Sequence, residues 1–443
     1  MKIKWILLIS LLLVAVLTFG QTFPGKTWEK IENPEKYGFS SQKLQQLDEI
    51  LKSMDTASFL VIKDGKILYE YGDREHKCFT HSARKSFMST LYGIYVENGA
   101  IDLNKSMADL GIDDDPPLSD EEKKATILNC LMARSGVYHA SAAQSTSMDA
   151  IRPKRYSKKP GEYWVYNNWD FNVLYTIFEQ KTGKSFYEAL KTDIFDKIGT
   201  EYFVMDDKYL MFDEVSKHPA YHFKITARDM ARFGLMMLHN GQWKGEQIVP
   251  EKWVEEITSY HSDASLYGLS GYGYMWWVVN EGSKNPQLPL INLKNGAYAA
   301  YGAYGQYLLV DPNNELILVH QVDSQIRGNS VVQGGLGYLF CNLYIAGGIE
   351  EELPVVGEDI LKQYVGEYEL RPGIDLIVST EGNTLYVQRT GLEKGILYPE
   401  SNSVFHTVQD ASIRMEFVKN TDGIVDTLVI SQLNRTTETK RKK

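Results

Sequence analysis

Apolar and polar positions along the chain fall into three textures. At 58–72, "SFLVIKDGKILYEYG" places two apolar, β-rich runs around Asp64-Gly65, and this pattern predicts a β-hairpin. A second hairpin is predicted over 305–322, "GQYLLVDPNNELILVHQV", turning at Asp311-Pro312-Asn313-Asn314. Between the two, the pattern changes to mixed helices and loops. After Ser82, Phe87, Leu91, Ile94 and Tyr95 recur at helical spacing until Gly99 stops the run, and "DMARFGLMMLHNGQW" at 229–243 is amphipathic, ending near Gly241. Strands at both ends with helices between them predict an α+β domain, an antiparallel sheet packed against helices. From about residue 356 helical periodicity fades, apart from a short stretch near 357–364. "IDLIVSTEGNTLYVQR" and "IRMEFVKNTDGIVDTLVISQ" read as short strands joined by turns at Glu381-Gly382-Asn383 and Asp422-Gly423. That segment is expected to be a separate small all-β domain, a barrel or sandwich.

Composition narrows the choices. The chain of 443 residues is 43% hydrophobic and 23% charged, an ordinary globular balance that can bury one large core and one small one. The formal net charge of -10 argues against a nucleic-acid partner, which needs clustered Lys and Arg. "MKIKWILLISLLLVAVLTFG" at 1–20 has a positive start, an apolar run and small residues before Gln21. It is expected to be a targeting segment, cleaved near Gly20-Gln21, that sends the protein to the periplasm or outside the cell. Its apolar run is short for a membrane span. The expected organisation is thus a signal over 1–20, a large domain over 21–355 and the small β domain over 356–443. Cys78, Cys130 and Cys341 are far apart and odd in number, so neither a disulfide framework nor a metal-ligand pattern is expected.

Two segments carry candidate chemistry. Ser-x-x-Lys occurs twice, at Ser40-Lys43 and at Ser82-Lys85. Ser40 precedes polar residues and an apolar period, and is expected to be a helix cap. Ser82 follows a hairpin and opens an apolar helix. Positions i and i+3 share a helical face, so the Lys85 amine can reach the Ser82 hydroxyl, and the helix start offers unpaired N–H groups to an oxyanion. A desolvated lysine with a lowered pKa can take the serine proton. The local sequence fits a capping serine beside a solvated lysine equally well. The second segment, "PGEYWVYNNWDF", holds Tyr166-Asn167-Asn168, the one Tyr-x-Asn among 28 tyrosines. In an extended segment Tyr166 and Asn168 would face the same way, and a tyrosine against an ammonium loses its proton more easily. His81 adjoins Ser82 but points elsewhere on a helix and is a poor base for it. His139, His218, His222 and His320 show no pairing pattern. The chain contains no Gly-x-Ser-x-Gly, His-Glu-x-x-His or Cys-x-x-Cys, so no metal or other cofactor is expected.

Ser82-x-x-Lys85 and Tyr166-x-Asn168, with "LVIKDGKILYEY", "ATILNCLMARSGV", "PGEYWVYNN" and "ARDMARFGLMMLHNGQW", resemble the serine beta-lactamase and penicillin-binding-protein superfamily in its class C-like esterase branch. The resemblance covers roughly residues 38–325, and the segment from 356 onward is similar to the small lipocalin-like domain appended to many of these hydrolases. It implies a beta-lactamase/transpeptidase-like fold with an all-helical region beside the sheet. It also implies Ser82 as nucleophile, Lys85 and Tyr166 as general base, and Asn168 as a residue orienting Lys85 and substrate. The family's third motif lies on a strand lining the site. Lys181-Thr182-Gly183 is a decoy, because Gly183 is placed to cap the preceding helix. Gly302-Ala303-Tyr304-Gly305-Gln306 is the better match, and by that alignment Ala303 N–H is the second oxyanion donor beside Ser82 N–H. Gly302 and Ala303 leave room for a substrate to lie close against the strand, and Tyr301 or Tyr304 fits a place in the pocket wall or in the sheet packing equally well.

No lysine or histidine occupies the position that holds a substrate carboxylate in penicillin-recognising relatives. The expectation is therefore a serine hydrolase acting through a Ser82 acyl-enzyme on a small-molecule or peptide-like ester or amide. A D-amino-acid peptidase or weak beta-lactamase is the enzyme alternative. A non-catalytic binder of peptides or cell-wall fragments is the other. The sequence leaves the oligomeric state open.

Overall fold

The structure, a computed structural model, describes residues 21–265, 269–280, 288, 290–331, 333–407, 413–432 and 435–442. The targeting segment expected over 1–20 lies outside these residues. No helix among the described residues is long and apolar enough to cross a membrane.

The two predicted hairpins lie side by side and form one half of an eight-stranded sheet, with the first hairpin at its edge. Strands β1 (Ser58–Lys63) and β2 (Lys66–Gly72) turn at Asp64-Gly65. The sheet continues through the short strands β3 (Ser262–Asp263), β4 (Gly271–Tyr272) and β5 (Trp277–Val278), and is completed by β6 (Tyr298–Gly302), β7 (Gln306–Asp311) and β8 (Leu316–Gln321). Its order is β2-β1-β8-β7-β6-β5-β4-β3, antiparallel throughout. The first hairpin pairs with the last strand, with Phe59 opposite His320 and Val61 opposite Leu318.

Alternation along β7 assigns the two faces. Tyr307 points to a helical layer formed by α1 (Ser41–Lys52) and α5 (Gln333–Ala346), meeting Phe340 at 5.5 Å. Leu308 points to the opposite face, where α4 (Ala227–Leu238) packs so closely that a Cβ on Gly234 would lie 2.8 Å from it. Between the sheet and the helical region runs α2 (Arg84–Glu97). It is buried on nearly every side, with Phe87 stacked 3.9 Å from Phe233 and Tyr92 bonded to the Leu174 carbonyl of α3 (Asn168–Thr182). A helix buried all round lacks the one-sided stripe of a surface helix and serves as the domain's central strut.

Ser40 caps α1 by accepting from Lys43 N, and Gly183 ends α3 in the left-handed conformation, so both serve the helix ends expected of them. Ser216–Thr226 forms a long strand, paired with Lys77–Phe79 and Lys208–Asp213, in a stretch expected to hold helices and loops. Pro219 and the scattered polar residues there mask its alternation.

The C-terminal segment is an up-and-down barrel of eight strands, β9 (Gly366–Arg371), β10 (Ile374–Glu381), β11 (Thr384–Arg389), β12 (Lys394–Pro399), β13 (Val404–Thr407), β14 (Ile413–Lys419), β15 (Val425–Gln432) and β16 (Arg435–Lys440), each paired with the next. It nearly closes on itself through a bridge between Tyr368 and Arg441 and the bond from Lys442 N to Glu367 O, which covers part of its two edge strands. The barrel touches the larger unit where Tyr398 stacks on Tyr338.

Candidate active site

Ser82 sits in a single helical turn, His81–Ala83, that runs directly into α2. Two contacts hold the turn in place. Thr80 donates to Phe223 O through both its N–H and its hydroxyl, tying the turn to the Ser216–Thr226 strand. Arg84 Nη1 donates to His81 O at 2.8 Å, fixing a residue whose φ of 45° is left-handed and unusual outside glycine.

One turn along, Lys85 is 1% exposed and its Nζ meets three groups. It lies 3.1 Å from Ser82 Oγ, touches the Tyr166 hydroxyl and donates to Asn168 Oδ1 at 2.7 Å. The Asn168 Nδ2 group donates to Ala143 O, which turns the amide so that its oxygen faces the lysine. The Nζ also stands over the rings of Tyr166 and Phe171, at 4.1 and 4.5 Å. No carboxylate is among these partners. Burial, reinforced by the neighbouring Arg84 charge, drives the Lys85 pKa well below its ordinary value, towards the neutral amine that can accept a proton. Burial pushes Tyr166 up to about 12, against a hydrogen bond with Ser82 that pulls it down. This differs from the expectation that Tyr166 would give up its proton readily: burial disfavours the charged form of both the amine and the phenol.

The geometry around Asn168 also differs from expectation. The segment is not extended there. Tyr166 lies in a loop and Asn168 is the first residue of α3, so the two converge because the chain turns into a helix between them. Sequence reasoning missed the support behind them. The buried Asp170 accepts from Ser135 Oγ at 2.5 Å, from Ser135 N at 3.2 Å and from Asn167 Nδ2 at 2.8 Å. Burial raises its carboxyl to about 7 while those donors pull it down. The network clamps the turn at 133–136 to the start of α3. Its sequence signal was an Asp three residues into a helix that begins at Asn167-Asn168.

On the sheet side, Gly302 is buried against the Ser82 turn: a Cβ there would lie 2.4 Å from Thr80 O and 2.8 Å from Ser82 N. Ala303 follows at the surface, and Tyr304, 48% exposed with φ of 68°, places its ring 5.0 Å from His81. Tyr301 belongs to a stacked column, Tyr166–Trp277–Tyr301–Tyr307, with ring separations of 5.6, 4.6 and 5.6 Å. His81 Nε2 bonds Ser324 Oγ at 2.7 Å, and burial with the Arg84 charge lowers its pKa to about 4. His222 is edge-on to it at 6.2 Å, a proximity the sequence did not signal. Of the remaining histidines singled out in the sequence, His139, His218 and His320 are buried.

A family model described as Beta-lactamase matches residues 44–327, and one described as a domain of unknown function, DUF3471, matches 353–441. A 6-aminohexanoate-dimer hydrolase of Paenarthrobacter ureafaciens is 24% identical over 311 residues, covering 62% of this chain and 75% of that protein. Among solved structures, the penicillin-binding protein homologue from Pyrococcus abyssi, an octamer, superposes with a TM-score of 0.54 at 18% identity, covering 90% of this chain and 100% of that one. A Bacillus anthracis candidate 6-aminohexanoate-dimer hydrolase gives 0.52 at 24% identity, over 73% of this chain and 86% of that one. Both share the fold.

Proposed function

The chain belongs to the beta-lactamase family, and from that premise we propose that it is an exported serine hydrolase that cleaves an ester or amide through an acyl-enzyme on Ser82. The observation that carries the reading is the meeting of Ser82, Lys85, Tyr166 and Asn168, drawn from two distant stretches of chain, at proton-passing distance.

The uncharged Lys85 amine takes the Ser82 proton as Oγ attacks the substrate carbonyl. The N–H groups of Ser82 and Ala303 receive the oxyanion, and Gly302 lets the strand approach near enough for the second donor to serve. The proton then passes from Lys85 through the Tyr166 hydroxyl to the leaving oxygen or nitrogen. A phenol held neutral by burial suits this relay, since it can give one proton and accept another without a lasting charge. Asn168 keeps the amine aimed at Ser82. Water enters by the same path in reverse and releases the acyl group.

The substrate is neutral near the reacting bond, because the Gly302–Gln306 segment carries no lysine or histidine to pair with a carboxylate. The relative named for hydrolysis of a 6-aminohexanoate dimer supports the amide side of this reading. The test is a panel of nitrophenyl esters, short amides and nitrocefin, with Ser82→Ala as the control. Turnover of esters or amides and labelling by a fluorophosphonate are expected, both abolished in Ser82→Ala. Labelling that survives in that variant refutes the assignment of the nucleophile.

A further inference from the structure

The small sheet of Lys77–Phe79, Lys208–Asp213 and Ser216–Thr226 has two unlike faces. Along its central strand Tyr221, Phe223 and Ile225 are buried, while His222 and Lys224 between them are half-buried, the alternation of a sheet packed on one side. The register carries the second face across the neighbouring strands, with Tyr209 opposite His222 and Phe79 opposite Lys224. Tyr209 is 53% exposed, and Met211, two residues on, is exposed beside it. This open face runs to Ser82. The Tyr209 ring lies 6.3 Å from His222 and 6.4 Å from Phe79. Those two rings lie 6.2 and 6.1 Å from His81, the residue before Ser82, and His81 lies 5.0 Å from Tyr304. Five rings thus pave the surface from Tyr304 to Tyr209.

The paving is uncharged at neutral pH. Burial, then the Arg84 charge, lowers His81 to about 4 and His222 to about 2, so both imidazoles are neutral. Lys224 at the rim is engaged elsewhere: its Nζ donates to Gln325 Oε1 at 2.6 Å and stands 4.8 Å from the Phe79 ring. A contiguous aromatic surface beside a reactive site marks a binding surface, and rings laid in this way select a planar apolar group by offset and edge-on stacking, which an aliphatic group of equal size does not reproduce. The two sides of Ser82 divide the substrate between them. The leaving group takes its proton at Tyr166, which Lys85 joins to Ser82, and so lies on that side. The paved face is reached from Ser82 through His81, and it is left to the acyl part.

We propose that the face from Tyr304 to Tyr209 is the acyl subsite and that it takes an uncharged acyl group ending in an aromatic ring. One ring, set a short linker beyond the carbonyl, meets His81 and Tyr304. A second in line with it reaches Phe79, His222 and Tyr209. The proposal rests on the reaction assigned to Ser82, and names the class of substrate that reaction uses.

The test compares the nitrophenyl esters of acetate, 3-cyclohexylpropanoate, 3-phenylpropanoate and 3-(4-biphenylyl)propanoate. All share a leaving group, and the last three share their reactivity at the carbonyl. The phenyl ester is expected to exceed the cyclohexyl ester about fivefold in kcat/KM, with the gain in KM, and the biphenylyl ester to exceed both. Tyr209→Ala changes an exposed side chain and is expected to lower kcat/KM for the biphenylyl ester about fivefold while acetate turnover holds. A second readout needs no turnover. Calorimetric titration of Ser82→Ala with 3-(4-biphenylyl)propanamide is expected to saturate at one equivalent, about fivefold more weakly once Tyr209→Ala is added. Equal kcat/KM for the phenyl and cyclohexyl esters, or biphenylyl turnover and amide binding undiminished by Tyr209→Ala, overturns the subsite. Acetate turnover that is lost in Ser82→Ala would leave the reaction standing in that case. Amide binding that depends on Tyr209, with no ester turnover, supports the aromatic face and overturns the reaction instead. A parent that is dimeric at assay concentration and becomes monomeric on Tyr209→Ala would give the face to a second copy, which also overturns the subsite.

Discussion

Replacing Gly302 with alanine tests the architecture of the site at one atom. The backbone there is extended, with φ of -132° and ψ of 165°, so alanine meets no conformational penalty. The obstacle is space. Its Cβ would stand 2.4 Å from Thr80 O, 2.8 Å from Ser82 N and 2.9 Å from His81 Cβ, where ordinary contacts begin at 3.4 Å. Strand β6 and the Ser82 turn must therefore separate by about 1 Å, the difference between those figures. A displacement of that size near reacting groups costs on the order of 10²-fold in rate, while overpacking of a buried position costs about 1–3 kcal/mol of stability. Gly302→Ala should lower kcat/KM for a nitrophenyl ester about a hundredfold with a drop of several degrees in Tm. Gly357→Ala, at an open site in the link to the barrel, should change neither. Near-normal kcat/KM in a folded Gly302→Ala variant would show that β6 does not hold the oxyanion side of the site, and the assignment of Ala303 N–H would fall with it.

Tyr166→Phe keeps the ring stacked on Trp277 and removes only the hydroxyl, so Tm should hold while kcat falls by about 10²–10⁴ in steady-state assays. Lys85→Met should be inactive yet gain stability over the parent near neutral pH. Between the depressed folded pKa and the ordinary lysine value the unfolded chain binds the extra proton, so the gain should shrink as pH rises towards about 10, measured by denaturation across pH. Asp170 works in the opposite sense. Its folded carboxyl titrates at about 7, above the unfolded value, so its contribution is most favourable in acid and is lost as pH rises through 7. The stability difference between parent and Asp170→Asn should therefore shift in the parent's favour on going from pH 8 to pH 5, by up to about 1.4 kcal/mol per pH unit, and a flat difference would refute a buried titrating carboxyl.

Much of this fold was legible because its elements carry local signals. Asp64-Gly65 and Pro312-Asn313-Asn314 sit at real turns, and the alternation from 374 onward produces real strands. Ser82 and Lys85 were legible because one helical turn brings them together, and Gly302 because the motif around it is local in sequence. The elements that escaped lack such signals. The two-residue strands β3, β4 and β5 are too short for any period to show, and Asn168 was misplaced because its helix begins on polar residues. The Ser135–Asp170 clamp joins side chains from separate segments, and no spacing along the chain encodes that meeting.

The pairing of β1 with β8 has a consequence for when the proposed site can assemble. The first hairpin cannot find its place in the sheet until residues 316–321 exist, and the Ser82 turn gains its strand-side wall only with residues 298–302. Closure across so long a loop makes assembly slow, since distant pairings must wait for the ends to meet. A half-synthesised chain, or one clipped ahead of residue 298, therefore carries the serine without the wall. The proposed site is complete only when the later strands have joined the sheet.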